Sequence, residues 1–121
     1  MILITGGSYQ GKLDYAKARF ALTDDDICIG KIDFDKKCLA YIDRYALEAV
    51  KSGLEPVDIF RANVDALRNK IIITTDISSG IVPMDPALRA WREACGRMNS
   101  YLASQADEVW RLFCGIPQRL K

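Results

Sequence analysis

A chain of 121 residues and 13.6 kDa has room for one compact domain. Half of its residues are apolar and 27% are charged, which argues against disorder; 17 Lys and Arg against 16 Asp and Glu leave a net charge of +1, so no basic excess points to nucleic acid. There is no histidine, and this removes every mechanism that needs an imidazole base, nucleophile or metal ligand.

Met1–Thr5 is a short apolar run of strand formers, stopped by Gly6 and Gly7. A helical pattern starts near Lys12, with Leu13, Ala16 and Phe20 on one face. The acidic run Asp24–Asp26 reads as a solvated turn, followed by a short strand at Ile27–Ile29 and a charged loop over 31–37. Leu39–Val50 has helical spacing, with Leu39, Ile42, Ala46, Leu47 and Val50 inward and Ser52-Gly53 as its end. Pro56 opens a second helix carrying Val57, Phe60, Val64 and Leu67. Ile71–Thr75 is the clearest strand, and Ile77–Pro83 reads as a loop. Asp85-Pro86 is a helix start, with Asp85 as N-cap and Pro86 in the first turn. That helix runs to about Gln105, with Leu88, Trp91, Cys95, Met98 and Leu102 as its inward stripe. Asp107–Cys114 is a last strand, ended by Gly115-Ile116-Pro117. Strands alternating with helices predict an α/β fold, a mainly parallel sheet flanked by helices, in a single domain over 1–121.

No apolar run is long enough to span a bilayer, and the first twenty residues lack the layout of a signal peptide. Cys28, Cys38, Cys95 and Cys114 contain no C-x-x-C pair, so reduced thiols in a cytoplasmic protein are expected.

The segment with chemistry is Gly6-Gly7-Ser8-Tyr9-Gln10-Gly11-Lys12-Leu13, which fits the phosphate-loop pattern G-x-x-x-x-G-K up to its last position. Glycines let the backbone curl so that successive N–H groups point at phosphate oxygens. The next helix offers its positive N-terminal end to the same anion, and Lys12 would reach the terminal phosphates. Shuffling this composition gives the pattern only about 0.03 times, and it falls where the mechanism wants it, between strand and helix. Leu13 stands where Ser or Thr would bind Mg²⁺, which weakens that site. Asp76, just after the most apolar strand, either holds Mg²⁺ or caps a turn. Arg89, Arg92 and Arg97 fit a solvated helix face better than a ligand site, and Trp91 fits the core better than a stacking platform.

The opening Met-Ile-Leu-Ile-Thr-Gly-Gly-x-x-x-Gly-Lys resembles the adenosylcobinamide kinase/adenosylcobinamide-phosphate guanylyltransferase family. So do Gly80-Ile81-Val82-Pro83, Trp91-Arg92-Glu93-Ala94, Gly96-Arg97-Met98-Asn99, Tyr101-Leu102-Ala103, Ala106-Asp107-Glu108-Val109 and Gly115-Ile116-Pro117. The resemblance covers residues 1–22 and about 70–121. It implies a phosphate-loop NTPase fold, ATP or GTP with Mg²⁺, a role in cobalamin biosynthesis or salvage, and a homo-oligomer. Family members phosphorylate the aminopropanol arm of adenosylcobinamide, then transfer GMP through a guanylylated histidine. The chain departs by its short middle between about 24 and 69, by Leu13, and by having no histidine to guanylylate. The family's second acidic strand has no clear counterpart, although Asp26 and Asp33 lie in that region. Gly6 to Gly11 and Lys12 carry the loop's role over, and Asp76 matches the acidic position before Gly-Ile-Val-Pro. These features imply a kinase acting on adenosylcobinamide or a related corrinoid, without its guanylyltransferase half. The alternative is a nucleotide- or corrinoid-binding module without turnover.

Overall fold

The computed structural model describes residues 1–77 and 85–121. Ile2–Gly6 forms β1, Lys12–Phe20 forms α1, and Ile27–Ile29 forms β2. Cys38–Ala40 is β3, followed by α2 at Ile42–Lys51, α3 at Val57–Ala62 and β4 at Ile71–Ile73. The chain closes with α4 at Pro86–Gln105, β5 at Glu108–Phe113 and β6 at Ile116–Arg119. The six strands form one sheet in the order β2-β3-β4-β1-β5-β6, parallel throughout except for the antiparallel β5–β6 pair. The α/β, mainly parallel sheet read from the sequence is the fold observed.

Successive side chains of a strand point to opposite faces, and this sorts the core into two layers. Leu3, Leu39, Ile72 and Val109 face α2, α3 and α4, where Ala46, Phe60, Cys95, Met98 and Leu102 pack on them. Ile4, Cys38, Ala40, Ile71, Ile73 and Leu112 face the other way, toward Ala16, Leu13 and Phe20 of α1. A sheet covered on both faces needs apolar residues at consecutive positions, which is why Ile71-Ile72-Ile73 carries no alternation.

Four expectations need correction. Leu39 is not the start of a helix: it lies in β3, paired with Ile72 of β4, and the helix begins only at Ile42. The spacing of Leu39, Ile42 and Ala46 suits a helix, but Tyr41 takes a left-handed conformation (φ 54°, ψ 51°) that breaks the run. The chain after Phe113 does not simply end: Ile116–Arg119 pairs with β5, with Leu112 opposite Pro117, and an edge strand tolerates that proline. The helix opened by Pro56 stops at Ala62, and a 3-10 turn carries Val64, which is exposed, and Leu67, which is buried. Leu88 is exposed and leaves the inward stripe of α4, whereas Cys95, Met98 and Leu102 are fully buried.

The acidic run is a 3-10 turn over Asp24–Asp26 closed by a capping box with Thr23. Asp85 caps α4 as expected, its carboxylate accepting from the Ala87 N–H at 2.8 Å. Residues 78–84, which take in all of the expected loop Ile77–Pro83 after Ile77, including Gly80-Ile81-Val82-Pro83, lie outside the described residues. All four thiols are free, with Cys28, Cys38 and Cys95 buried and Cys114 exposed. No helix among the described residues is long and apolar enough to cross a membrane.

Candidate functional site

In a parallel sheet the connections after the strands gather at one edge, and ligands bind there where neighbouring connections diverge. The neighbours β1 and β4 form such a point: the chain leaving β1 goes through α1 to β2 at one side of the sheet, and the chain leaving β4 goes on to α4 and β5 at the other. The segment Gly6–Gly11 leaves that edge. Gly6 presses on β5 so closely that a Cβ there would stand 2.6 Å from the Leu112 carbonyl oxygen. Gly11, at φ +83°, turns the chain into α1 with no side-chain cap, which leaves the first-turn N–H groups to an external acceptor. Between them, Gln10 anchors the loop to the β5–β6 turn: its side-chain carbonyl accepts from the Cys114 N–H, and its backbone carbonyl accepts from the Gly115 N–H at 3.1 Å. Ser8 and Tyr9 form the exposed tip, with the Tyr9 ring fully in solvent.

Lys12 turns inward. It is 3% exposed, and its ammonium donates to the Gly7 carbonyl at 2.6 Å. Burial lowers its pKa from the usual 10.5, and the nearby Asp43 carboxylate offsets part of that drop. The ammonium also lies 5.8 Å from the centre of the Tyr41 ring. Lys12 therefore lines a cavity of about 170 Å³, with residues 8–12 on one side and Tyr41, Arg44 and Thr75 on the other.

Asp76 stands beside this cavity, not in its lining. Its N–H donates to the Gly6 carbonyl at 2.8 Å, tying the end of β4 to the start of the loop. Asp76 lines a neighbouring cavity of about 270 Å³ with Thr5, Ile77, Arg92, Cys95 and Asn99. The carboxylate on the Lys12 side is Asp43, which the sequence reading passed over. Asp43 is 6% exposed, accepts from the Thr75 N–H at 3.0 Å, and through its backbone carbonyl accepts from the Trp91 indole at 2.8 Å. It thereby joins α2, the end of β4 and α4. The available signal was an acidic residue in the first turn of a helix directly after a strand, and reading β3 as helix hid it.

Asp26 and Asp33 serve local turns: Asp26 accepts from the Thr23 N–H at 2.9 Å, and Asp33 accepts from the Asp35 N–H at 3.0 Å. Arg97 makes a two-point bond to Glu55, both at 3.0 Å. Arg89 is exposed, and Trp91 packs half-buried against the core.

The donor set does not fit a phosphate-loop magnesium site. Leu13 has no oxygen, and its side chain packs into the cluster of Ile4 and Ala16. No group of three or more acidic or thiol side chains that could hold a metal ion occurs among the described residues. Mg²⁺ prefers hard oxygen ligands in octahedral geometry, and a half-buried leucine offers none.

The family model described as "Cobinamide kinase / cobinamide phosphate guanyltransferase" matches residues 39–120. The loop at 6–13 precedes that match, so its reading rests on the local geometry above. A 51-residue stretch is 39% identical to the Bifunctional adenosylcobalamin biosynthesis protein CobU of Salmonella typhimurium (strain LT2), covering 42% of this chain and 28% of the relative. The protein of the same name from Escherichia coli (strain K12) is 37% identical over 51 residues, with the same two coverages, 42% and 28%. The matched stretch thus spans little more than a quarter of each curated relative. Since the family match takes in β3 through β6 and both cavity-lining segments of α2 and β4, this chain belongs to the cobinamide kinase / cobinamide phosphate guanyltransferase family.

Proposed function

We propose that the chain holds the phosphate chain of ATP or GTP in the cavity over Lys12 and uses it to phosphorylate adenosylcobinamide or a related corrinoid alcohol in cobalamin biosynthesis. The supporting observation is the buried Lys12 ammonium, held in a loop-and-helix cradle with the Gly7 carbonyl as its hydrogen-bond partner among the described residues. Among the described residues the ammonium makes no direct ion pair, and Asp43 offsets only part of its burial, so an incoming phosphate stabilises it. In this reading Gly6, Gly7, Ser8, Tyr9, Gln10, Gly11 and Leu13 form the cradle by their backbone. Asp76 faces the acceptor from the adjoining cavity. The acceptor's hydroxyl oxygen bonds to the γ-phosphorus as the bond to the β–γ bridging oxygen breaks. The hydroxyl proton passes to the Asp76 carboxylate, and the nucleoside diphosphate leaves.

The guanylyltransferase half has no imidazole to carry it in this chain. The reading also takes the protein as a cytoplasmic single domain over 1–121 that assembles as a homo-oligomer. A second reading, binding of nucleotide or corrinoid without turnover, is favoured by Leu13, because a metal-poor loop loses the cation that neutralises charge during transfer.

Incubation with ATP or GTP, adenosylcobinamide and Mg²⁺ separates the two. Phosphorylated corrinoid with one diphosphate released per acceptor supports the kinase; calorimetric binding without product supports the binding module. Intact-mass spectrometry after GTP treatment should show no protein–GMP adduct, and a stoichiometric adduct would restore the transferase.

A further inference from the structure

We infer that Arg44 is a second phosphate-binding cation, facing Lys12 across the loop cavity and supplying the positive charge that the loop, with Leu13, does not obtain from a metal. The inference rests on the phosphate-loop reading above and names a residue that reading does not use. Arg44 and Lys12 line the same cavity of about 170 Å³. The Arg44 guanidinium carbon lies 4.6 Å from the centre of the Tyr41 ring, and the Lys12 ammonium lies 5.8 Å from that same centre. One aromatic ring thus lies within reach of both cations.

Two features hold Arg44 in position. Tyr41 occupies a left-handed turn directly between β3 and α2, so its ring is set by backbone rather than by a free rotation of the helix. On the other side the stem of Arg44 lies against Gly30, where an added Cβ would be 3.4 Å from the Arg44 Cβ and 3.5 Å from its Cδ. The Gly30 N–H donates to the Ala40 carbonyl at 2.9 Å, so this stop is anchored to β3. No carboxylate pairs with Arg44 among the described residues, whereas Arg97 and Arg19 are engaged by Glu55 and Glu108. A planar guanidinium stacked on a ring and left without an anion is suited to bind phosphate oxygens in pairs.

The chemical class recognised is a polyphosphate, either the tail of a nucleoside triphosphate or a free chain. The experiment titrates ATP, GTP and inorganic tripolyphosphate into the wild type, Arg44→Gln, Arg44→Lys and Lys12→Ala, with EDTA and with Mg²⁺. Circular dichroism verifies the fold of each variant. In EDTA the wild type is expected to bind, and Arg44→Gln to weaken binding about 10- to 100-fold. Arg44→Lys should fall between, because it keeps the charge but not the plane. Adding Mg²⁺ should change wild-type affinity by less than a factor of about three, judged against the tenfold step of 1.4 kcal/mol. Equal loss with tripolyphosphate and with ATP assigns Arg44 to the phosphates; loss with the nucleotides alone overturns that assignment. Wild-type affinity in Arg44→Gln, with Lys12→Ala weakened, overturns the inference and leaves the loop reading standing. No binding by the wild type, or none lost in Lys12→Ala, overturns both.

Discussion

Two strand-to-helix junctions border the cavity, and they are built in opposite ways. After β1 the chain takes a glycine-rich loop before α1 begins at Lys12; after β3 a single residue, Tyr41, separates the strand from α2. Neither helix has a side-chain N-cap. The first junction meets its backbone constraints with glycine, at Gly6 and Gly11. The second meets the same kind of constraint with a tyrosine at φ 54°. A non-glycine residue in that region costs about 1–2 kcal/mol, and Tyr41 is kept there while its ring packs on the α1-side core and carries Arg44. The long junction makes room for a ligand; the tight one positions side chains against it.

The sharpest test of this contrast is Gly6→Ala. Its Cβ would meet a backbone oxygen that cannot swing away, so β1 and β5 must separate. A loss of about 2–4 kcal/mol is expected, read as a lower urea midpoint. A loss below about 0.5 kcal/mol would show that the loop tolerates a side chain there.

Next in size is Lys12→Ala, which should weaken nucleotide binding about 10- to 150-fold, or 1.5–3 kcal/mol, without unfolding the chain. The same lysine sets a pH signature. Its folded pKa lies below the unfolded 10.5, so between the two values the unfolded chain binds the extra proton. Stability contributed at this position therefore rises as pH increases toward 10.5, while nucleotide affinity falls as the ammonium is lost. Parallel denaturation and binding titrations over the alkaline range should move in opposite directions for the wild type and lose that opposition in Lys12→Ala.

A smaller effect is expected for Tyr41→Asn. Asparagine tolerates the left-handed turn better than tyrosine, which offsets the lost ring. Net stability should stay within about 1 kcal/mol of the wild type, whereas polyphosphate affinity in EDTA should fall a few-fold as Arg44 loses its platform. A thermal melt paired with a calorimetric titration checks both halves.

The thiols give the mildest contrast. Cys114 sits in the exposed turn held by Gln10 and should react with a disulfide reagent under native conditions. Cys38, in β3 just before the tight junction, is buried with its pKa raised to about 12, and Cys95 likewise; both should react only on unfolding. Fast labelling of Cys38 in the native protein would mean that β3 opens locally.

The same contrast explains what the sequence made legible. A junction of glycines, a lysine and a helix start announces itself by composition, and so does the three-isoleucine strand buried on both faces. Asp85-Pro86 announced α4 because cap chemistry is local. β3 did not, because three residues followed at once by a helix have no period of their own, and Leu39 happens to fall in step with Ile42 and Ala46. Asp43 and Arg44 went unread with it. Their significance depends on how far α2 is turned about its axis, and the angle at Tyr41 decides that. β6 escaped because Gly115 and Pro117 look like a terminus until β5 supplies the partner.

The position of β1 in the sheet has a consequence for how the protein comes into being. Ile2 pairs with Ile71 on one side and with Glu108 on the other, so this strand waits for partners that lie about 70 and more than 100 residues further on. Such distant pairing carries a large closure entropy and slow nucleation, and leaves an apolar strand unpaired during synthesis. The β2–β3 pair and the helices after it can form early, but the loop over Lys12 acquires its shape only when β5 closes on Gly6. Recovery of phosphate binding during refolding should accordingly trail the appearance of helix, and polyphosphate added to the refolding buffer should act on the last step.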